Sequence, residues 1–177
     1  MYRFLLFALF IISFKAAAQD FHGGLILGVA GSQIDGDNHR GYFKGGLNLG
    51  AYVNRKLNDN FGFQLEVKYT GKGAKSLDSL SMYKVSLKYV ELPVVFFNEF
   101  NQKFTFQYGL SAGYLFKGWY SGYEMGDPSL SIYYDEDITA NLSKFDICGL
   151  VGITYLFNER MTFSLRLSRS ITPVYHI

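Results

Sequence analysis

Few residues of this 177-residue chain have the types and spacing that catalysis or metal binding requires. Asp35, Asp37 and Asn38 place oxygen atoms at a close spacing that suits calcium, but the twelve-residue loop pattern with its terminal Glu is absent. A second acidic cluster, Asp135–Asp137, lies within a long polar stretch. Solvated loops account for both clusters, so the sequence predicts no metal site.

Nucleophiles and further metal ligands are dispersed along the chain. The three histidines are His22, His39 and His176, and no two of them have the spacing of a helical metal motif. Cys148 is the single cysteine, so the chain forms no internal disulfide and no CxxC zinc site. No serine lies in a G-x-S-x-G turn. We therefore predict that the protein is not an enzyme and binds no cofactor.

Composition narrows the class of protein further. A formal net charge of +2 without a basic stripe gives no electrostatic signature of nucleic-acid binding. The length indicates a single domain. Aromatic residues make up 18% of the chain, which is high for a soluble domain and has to be explained by the fold.

The N-terminus has the features of a secretory signal peptide. Arg3 supplies a positive charge, Phe4–Phe14 is an apolar run, and Ala16–Ala18 provides the small residues of a cleavage site. We predict a signal peptide at residues 1–18 and a mature domain at residues 19–177. An uncleaved anchor is the alternative, but the run is too short to span a bilayer.

Seven later segments alternate between apolar and polar residues with a period of two. The clearest is FGFQLEVKYT, in which every second residue from the first Phe is apolar or aromatic. Such repetition predicts an all-β, antiparallel up-and-down sheet. The segments are Gly24–Val29, Gly45–Val53, Phe61–Thr70, Lys84–Phe97, Phe104–Phe116, Phe145–Phe157 and Met161–Ser170.

Connections between these segments alternate in length. Three are short and polar, and the three between them are longer: Ala30–Tyr42, Gly71–Tyr83 and Gly118–Ser143. All short connections therefore fall at one end of the sheet and all long ones at the other. Outer-membrane barrels are built in this way, with tight periplasmic turns and long outer loops.

The alternation by itself leaves two orientations open. A secreted or periplasmic soluble barrel that binds an apolar ligand would turn the apolar set inward, whereas a membrane barrel turns it outward. The apolar set is nearly free of charge and carries aromatic residues at both strand ends, such as Phe104 and Phe116. This pattern matches the two aromatic girdles of a membrane barrel. We therefore predict a transmembrane β-barrel whose small and polar residues fill a narrow interior.

Five charged residues belong to the predicted interior. Glu66 and Lys88 lie on neighbouring segments, as do Asp146 and Arg166, so we predict two pairs of neutralising charges. Glu91 precedes Pro93, and a proline inside a strand indicates an edge or a bulge. We predict a bulge there that turns Glu91 inward. These charges are interpreted as structural, because an eight-stranded barrel is only wide enough for its own side chains.

The longest predicted loop is rich in aromatic residues. Tyr and Trp are favoured anchors at protein interfaces, so this loop is a candidate for surface recognition. Its aromatic residues are Trp119, Tyr120, Tyr123, Tyr133 and Tyr134.

Several segments resemble one protein family. Lys88–Phe96 (KYVELPVVF) resembles the "YLEIPLL" strand of the Bacteroidetes outer-membrane β-barrel proteins, the PorT-like group. Further segments resemble other strands of the same family: Gly45–Gly50, Leu57–Phe61, Phe106–Leu115 and Asp146–Tyr155.

This resemblance implies an eight-stranded barrel in the outer membrane of a Gram-negative bacterium. Seven strands are recognisable where the family has eight. The alternatives are that the sequence is truncated before its C-terminal strand, that its short tail pairs poorly, or that a partner closes the sheet. The partners that the resemblance implies are outer-membrane lipid and the barrel-assembly machinery. The aromatic-rich long loops add another envelope protein as an expected partner, and the balanced charge predicts no nucleic-acid binding. An outer-membrane barrel enzyme acting on lipid is a third hypothesis, for which no catalytic triad is visible.

Overall fold

The computed structural model describes residues 21–32, 44–75, 81–127 and 130–173. The predicted signal peptide, the Asp35–Asn38 cluster, His39 and His176 lie outside these residues. Eight strands make up nearly all of the described chain: β1 (Phe21–Ser32), β2 (Lys44–Lys56), β3 (Phe61–Lys75), β4 (Ser81–Glu99), β5 (Phe104–Asp127), β6 (Leu130–Asp137), β7 (Phe145–Asn158) and β8 (Met161–Ser170). A single 3₁₀ turn, Thr139–Asn141, follows β6.

The strands form one antiparallel sheet. Its order is β1-β2-β3-β4-β5-β7-β8, and β6 pairs with β5 beside this path. Each strand on the path except β7 pairs with the next one in sequence, and β7 pairs with β5 after the β5–β6 hairpin. The sheet is curled. Side chains of β3 therefore reach those of β7 and β8 across its concave side. The predicted all-β, up-and-down architecture is confirmed, and the seven predicted segments are the seven strands of this path.

The three long predicted connections are wrong in extent, beginning with the first, because β1 continues to Ser32. Strand β3 continues to Lys75, and β5 continues to Asp127, where it forms a hairpin with β6. A bulge explains why the sequence concealed the longer β5. Lys88 pairs with Lys117 but Tyr89 pairs with Leu115, so Phe116 is an extra residue in β5. An extra residue reverses the face of every position after it, so the apolar alternation continues beyond the bulge on the other set of positions.

The predicted orientation of the two faces is confirmed. Apolar residues cover the convex face and are strongly exposed there, as Leu25 (87%), Val29 (87%) and Leu165 (72%) show. The concave face holds small, polar and charged residues between apolar side chains at either end. A soluble barrel has the opposite arrangement, because its apolar set packs inward. The structure therefore does not fit the alternative of a soluble barrel with an apolar ligand.

Aromatic pairs mark both ends of the apolar convex face. Phe104 contacts Tyr155 near the short turns, with ring centroids 5.1 Å apart, and Tyr114 contacts Phe145 towards the other end, at 5.5 Å. Ten residues of β5 separate these pairs, a rise of about 34 Å along the strand. At a strand tilt of about 40° this projects to about 26 Å, close to the apolar band of outer-membrane barrels.

Candidate functional site

The concave face carries a layer of six charged side chains. Three are carboxylates, Glu66, Glu91 and Asp146, and all three residues are buried. Three are cations, Lys68, Lys72 and Arg166, whose side chains are 14%, 21% and 20% exposed. The charges cancel, and each carboxylate is within ion-pair distance of at least one cation. We call these six residues the interior charge layer.

Glu66 and Arg166 form the first part of this layer. Arg166 Nη1 lies 2.7 Å and 2.8 Å from the two carboxylate oxygens of Glu66, and Arg166 Nε donates to Gln107 Oε1 at 2.9 Å. Gln64 Nε2 donates a further hydrogen bond to Glu66 Oε1 at 2.6 Å. Because β3 and β8 are not neighbours in the sheet, this pair links two distant strands across the interior.

Glu91 and Lys72 form the centre of the layer. Lys72 Nζ lies 2.6 Å from Glu91 Oε1, while Lys68 Nζ lies 3.2 Å from Glu91 Oε2. The Thr70 hydroxyl donates to the same Oε2 at 3.1 Å. Lys72 also lies over the ring of Tyr89, 5.0 Å from its centroid, in a cation–π contact.

Asp146 connects Lys72 to the end of β8. Asp146 Oδ2 lies 3.2 Å from Lys72 Nζ and accepts a hydrogen bond from the Cys148 thiol at 3.2 Å. Its Oδ1 accepts hydrogen bonds from the hydroxyls of Ser170 and Thr172. The Cys148 sulfur is also 3.4 Å from Lys72 Nζ, so the thiol takes part in the network as a small polar group.

Glycines opposite the charged side chains provide the space that the layer occupies. Gly152 pairs with Arg166, and a Cβ at Gly152 would lie 2.7 Å from Arg166 Cγ. Gly113 pairs with both Glu91 and Asp146, and a Cβ there would lie 3.5 Å from Glu91 Cγ. The glycine-rich inner set is therefore a steric requirement of long charged side chains in a narrow interior.

The predicted charge pairs were wrong in their partners. Glu66 pairs with Arg166, and Asp146 pairs with Lys72. Lys88 was expected inside, but it is exposed on the convex face, because the inner set of β4 consists of odd-numbered residues from Val85 to Phe97.

Glu91 is buried on the concave face, although not for the predicted reason. The inner set of β4 alternates without interruption through Pro93, and the bulge lies at Phe116 of the neighbouring strand. Sequence reasoning also missed the roles of Lys68 and Lys72. Lys68 already belonged to the inner set of the predicted segment Phe61–Thr70. Continuing the period of two past Thr70 would have placed Lys72 on the same face.

An apolar cluster, which we call the apolar cap, covers the concave side of β4 and β5 at the end with the long connections. It consists of Val85, Leu87, Tyr89, Leu115 and Leu142, each at most 5% exposed. Tyr83, Tyr120 and Ile138 pack against it, and the rings of Tyr83 and Tyr120 stack with centroids 6.4 Å apart. Leu142 lies between the 3₁₀ turn and β7, so the segment after β6 folds back over the interior.

The predicted recognition residues divide between the two faces of the β5–β6 hairpin. Tyr120 belongs to the apolar cap and is half-buried. Trp119 points to the convex side, where its Nε1 donates to Asp135 and Lys117 Nζ lies 5.1 Å from its ring centroid. The backbones of Tyr123 and Tyr133 pair with each other, but the side chains of Tyr123, Tyr133 and Tyr134 lie outside the described part of the structure.

Hydrogen bonds also hold the end of this hairpin. The hydroxyl and backbone N–H of Thr139 both donate to Asp137, the N–H at 2.9 Å, and they lower the pKa of that carboxyl. Thr139 also receives a hydrogen bond from the Gly118 N–H at 2.8 Å. The predicted acidic cluster is thus part of the hairpin's own hydrogen bonding.

The described residues contain no cluster of side chains suited to a metal ion. Among residues 21–32, 44–75, 81–127 and 130–173, no group of three His, Cys, Asp or Glu residues could hold a metal ion. No helix in those ranges is long and apolar enough to cross a bilayer. The charged side chains of the interior charge layer form ion pairs with one another, as buried charges in a structural role do.

Comparison with protein families gives one match. The family model described as "Outer membrane protein beta-barrel domain" matches residues 17–176. Comparison with curated proteins and with solved structures gave no match to the chain.

Proposed function

The chain belongs to the outer membrane protein β-barrel domain family, and from this premise we propose a small integral barrel of the outer membrane that conducts no solute. Its work is structural or lies in contacts made through its long connections. The observation that carries the proposal is the concave face, where the charges of the charge layer are paired and an apolar cap lies next to them.

Both parts of the interior oppose a solute path. A conducting barrel needs a continuous aqueous lumen, whereas here the cap residues Leu115 and Leu142 are 1% and 2% exposed. Below the cap, Glu91 is held by both Lys68 and Lys72, so an ion passing through would have to displace a bound partner.

Conductance measures this proposal directly. The protein, refolded from detergent into a planar lipid bilayer, should give a current indistinguishable from that of the protein-free bilayer, because we expect the cap and the charge layer to block the passage of solute. A general porin inserted in the same bilayer provides the positive control. Stable current steps whose number rises with the amount of protein would contradict the proposal.

The proposed role also includes binding to other proteins at the surface. Support comes from the β5–β6 hairpin, which extends beyond the sheet path and presents Trp119 on the convex side. We propose another envelope protein as the partner of this hairpin and the barrel-assembly machinery as a transient partner during insertion. No catalytic activity is proposed.

Two finer parts of the proposal, the PorT-like family assignment and the cleaved signal peptide, are supported by the amino-acid sequence. The PorT-like membership in Bacteroidetes is supported by the KYVELPVVF strand, whose Glu91 and Pro93 point inward. A cleaved signal peptide at residues 1–18 is supported by the apolar run Phe4–Phe14 and the alanines after it. Both the family assignment and the signal peptide are consistent with export to the outer membrane.

A further inference from the structure

Lysines face one another across strands on the convex side of the sheet. Lys75 of β3 is the direct partner of Lys84 of β4, and Lys88 of β4 is the direct partner of Lys117 of β5. All four residues are exposed. Like charges placed directly opposite in an antiparallel pair destabilise a sheet, so two such pairs on adjacent strands call for an explanation. We call these four residues the lysine patch.

The patch lies immediately beyond the apolar band. Tyr69 and Phe116, whose ring centroids are 6.1 Å apart, belong to the aromatic rim at the end with the long connections. Lys88 is the next outward residue of β4 after Val90, and Lys117 directly follows Phe116. Residues at this height of a membrane barrel lie at the lipid headgroups.

Among the described residues, few negative charges compensate those of the patch. Within the described residues, no ion pair joins Lys75, Lys84, Lys88 or Lys117 to a carboxylate. Lys44 at the start of β2 adds a further cation that interacts electrostatically with Lys75 and Lys84. Among the described residues, carboxylates flank the patch on one side, where Asp137 lies near Lys117 and Asp135 accepts a hydrogen bond from Ser121, the partner of Lys84.

We propose that the lysine patch binds the phosphate groups of anionic lipids in the leaflet on the side of the long connections. Phosphate oxygens between the paired lysines would convert two repulsive contacts into attractive ones. Trp119, packed beside Lys117, is placed at the same level, where indole rings are favoured at membrane interfaces. This inference rests on the proposed insertion of the barrel in a membrane.

Native mass spectrometry of the refolded protein tests the patch. In a neutral detergent with equal amounts of phosphatidylglycerol and phosphatidylcholine, the protein should retain phosphatidylglycerol preferentially. The Lys84→Gln/Lys88→Gln variant should lose about fivefold in apparent affinity for each lysine removed. Raised salt should weaken the preference, because exposed charges are screened.

A variant with the same change of charge at the other end of the sheet is the control. Lys103 and Arg160 lie in exposed short turns, so Lys103→Gln/Arg160→Gln should keep the full preference. Equal loss in both variants, or no preference in the unmodified protein, would overturn the proposal. Saturable quenching of Trp119 fluorescence by inorganic phosphate in zwitterionic micelles would also overturn it, since a free anion and not a lipid would then be the ligand.

Insertion is measured separately. Flotation with pure phosphatidylcholine vesicles, which carry no net charge, reports on the proposed membrane insertion without involving the lysines. Failure to float would contradict the proposed function, whereas flotation without a preference for phosphatidylglycerol would contradict only the lysine patch.

Discussion

Replacing Arg166 with Met should lower the free energy of unfolding by about 3–5 kcal/mol. The side chain of Glu66 is fully buried, and Arg166 is its cationic partner at 2.7 Å. Within the described residues, removing the guanidinium leaves the buried carboxylate with the Gln64 amide as its hydrogen-bond donor. Reversible denaturant unfolding of the protein refolded in detergent micelles, followed by tryptophan fluorescence, measures the change.

Two further variants separate the charge pair from simple loss of packing. Glu66→Gln combined with Arg166→Met should recover a large part of the loss, because no uncompensated charge remains. Arg160→Met in the exposed turn between β7 and β8 should change the free energy of unfolding by no more than about 0.5 kcal/mol. If Arg166→Met alone were as mild as Arg160→Met, the charge layer would not be a structural element.

Replacing Lys72 with Met should cause a loss of similar size, about 3–5 kcal/mol. Lys72 is the one residue of the layer that contacts two carboxylates, Glu91 at 2.6 Å and Asp146 at 3.2 Å. Its removal leaves both carboxylates buried with fewer partners. The same denaturant titration measures the effect.

Lys68 provides the matched comparison for Lys72. Lys68→Met removes one cation from Glu91 but leaves Lys72 and the Thr70 hydroxyl in place, so its effect should be clearly smaller. Adding Asp146→Asn to Lys72→Met should restore part of the lost stability. One of the two carboxylates that lost their cation is then replaced by a neutral amide. A larger effect of Lys68→Met than of Lys72→Met would contradict the arrangement described here.

Orientation and strand order were readable from the sequence, because both depend on local regularities. A period of two identifies each strand and its apolar face, and the alternation of short and long connections gives the up-and-down order. The exposed Leu110 and the buried Ser111 in β5 lie on the predicted faces. Such features need only neighbouring residues to be recognised.

The partners within the interior were not readable, because they depend on the curl of the sheet. Arg166 meets Glu66 from a strand that is a hundred residues away and not adjacent in the sheet. Sequence patterns place both residues on the inner face. They do not show which residues of non-adjacent strands lie at the same height and can therefore meet across the interior. The bulge at Phe116 had a similar effect, because one extra residue moved Lys117 and Trp119 to the convex face.

The central claim is that the convex face lies in lipid, and leucine methyl groups test it most directly. In nanodiscs, nuclear Overhauser effects from acyl-chain protons should reach the exposed leucines and should be absent from the buried ones. The exposed set is Leu110, Leu165 and Leu167, and the buried set is Leu87, Leu115 and Leu150. The account predicts acyl-chain contacts for the first set alone; contacts confined to the second set, with Leu110, Leu165 and Leu167 in contact with water, would contradict it.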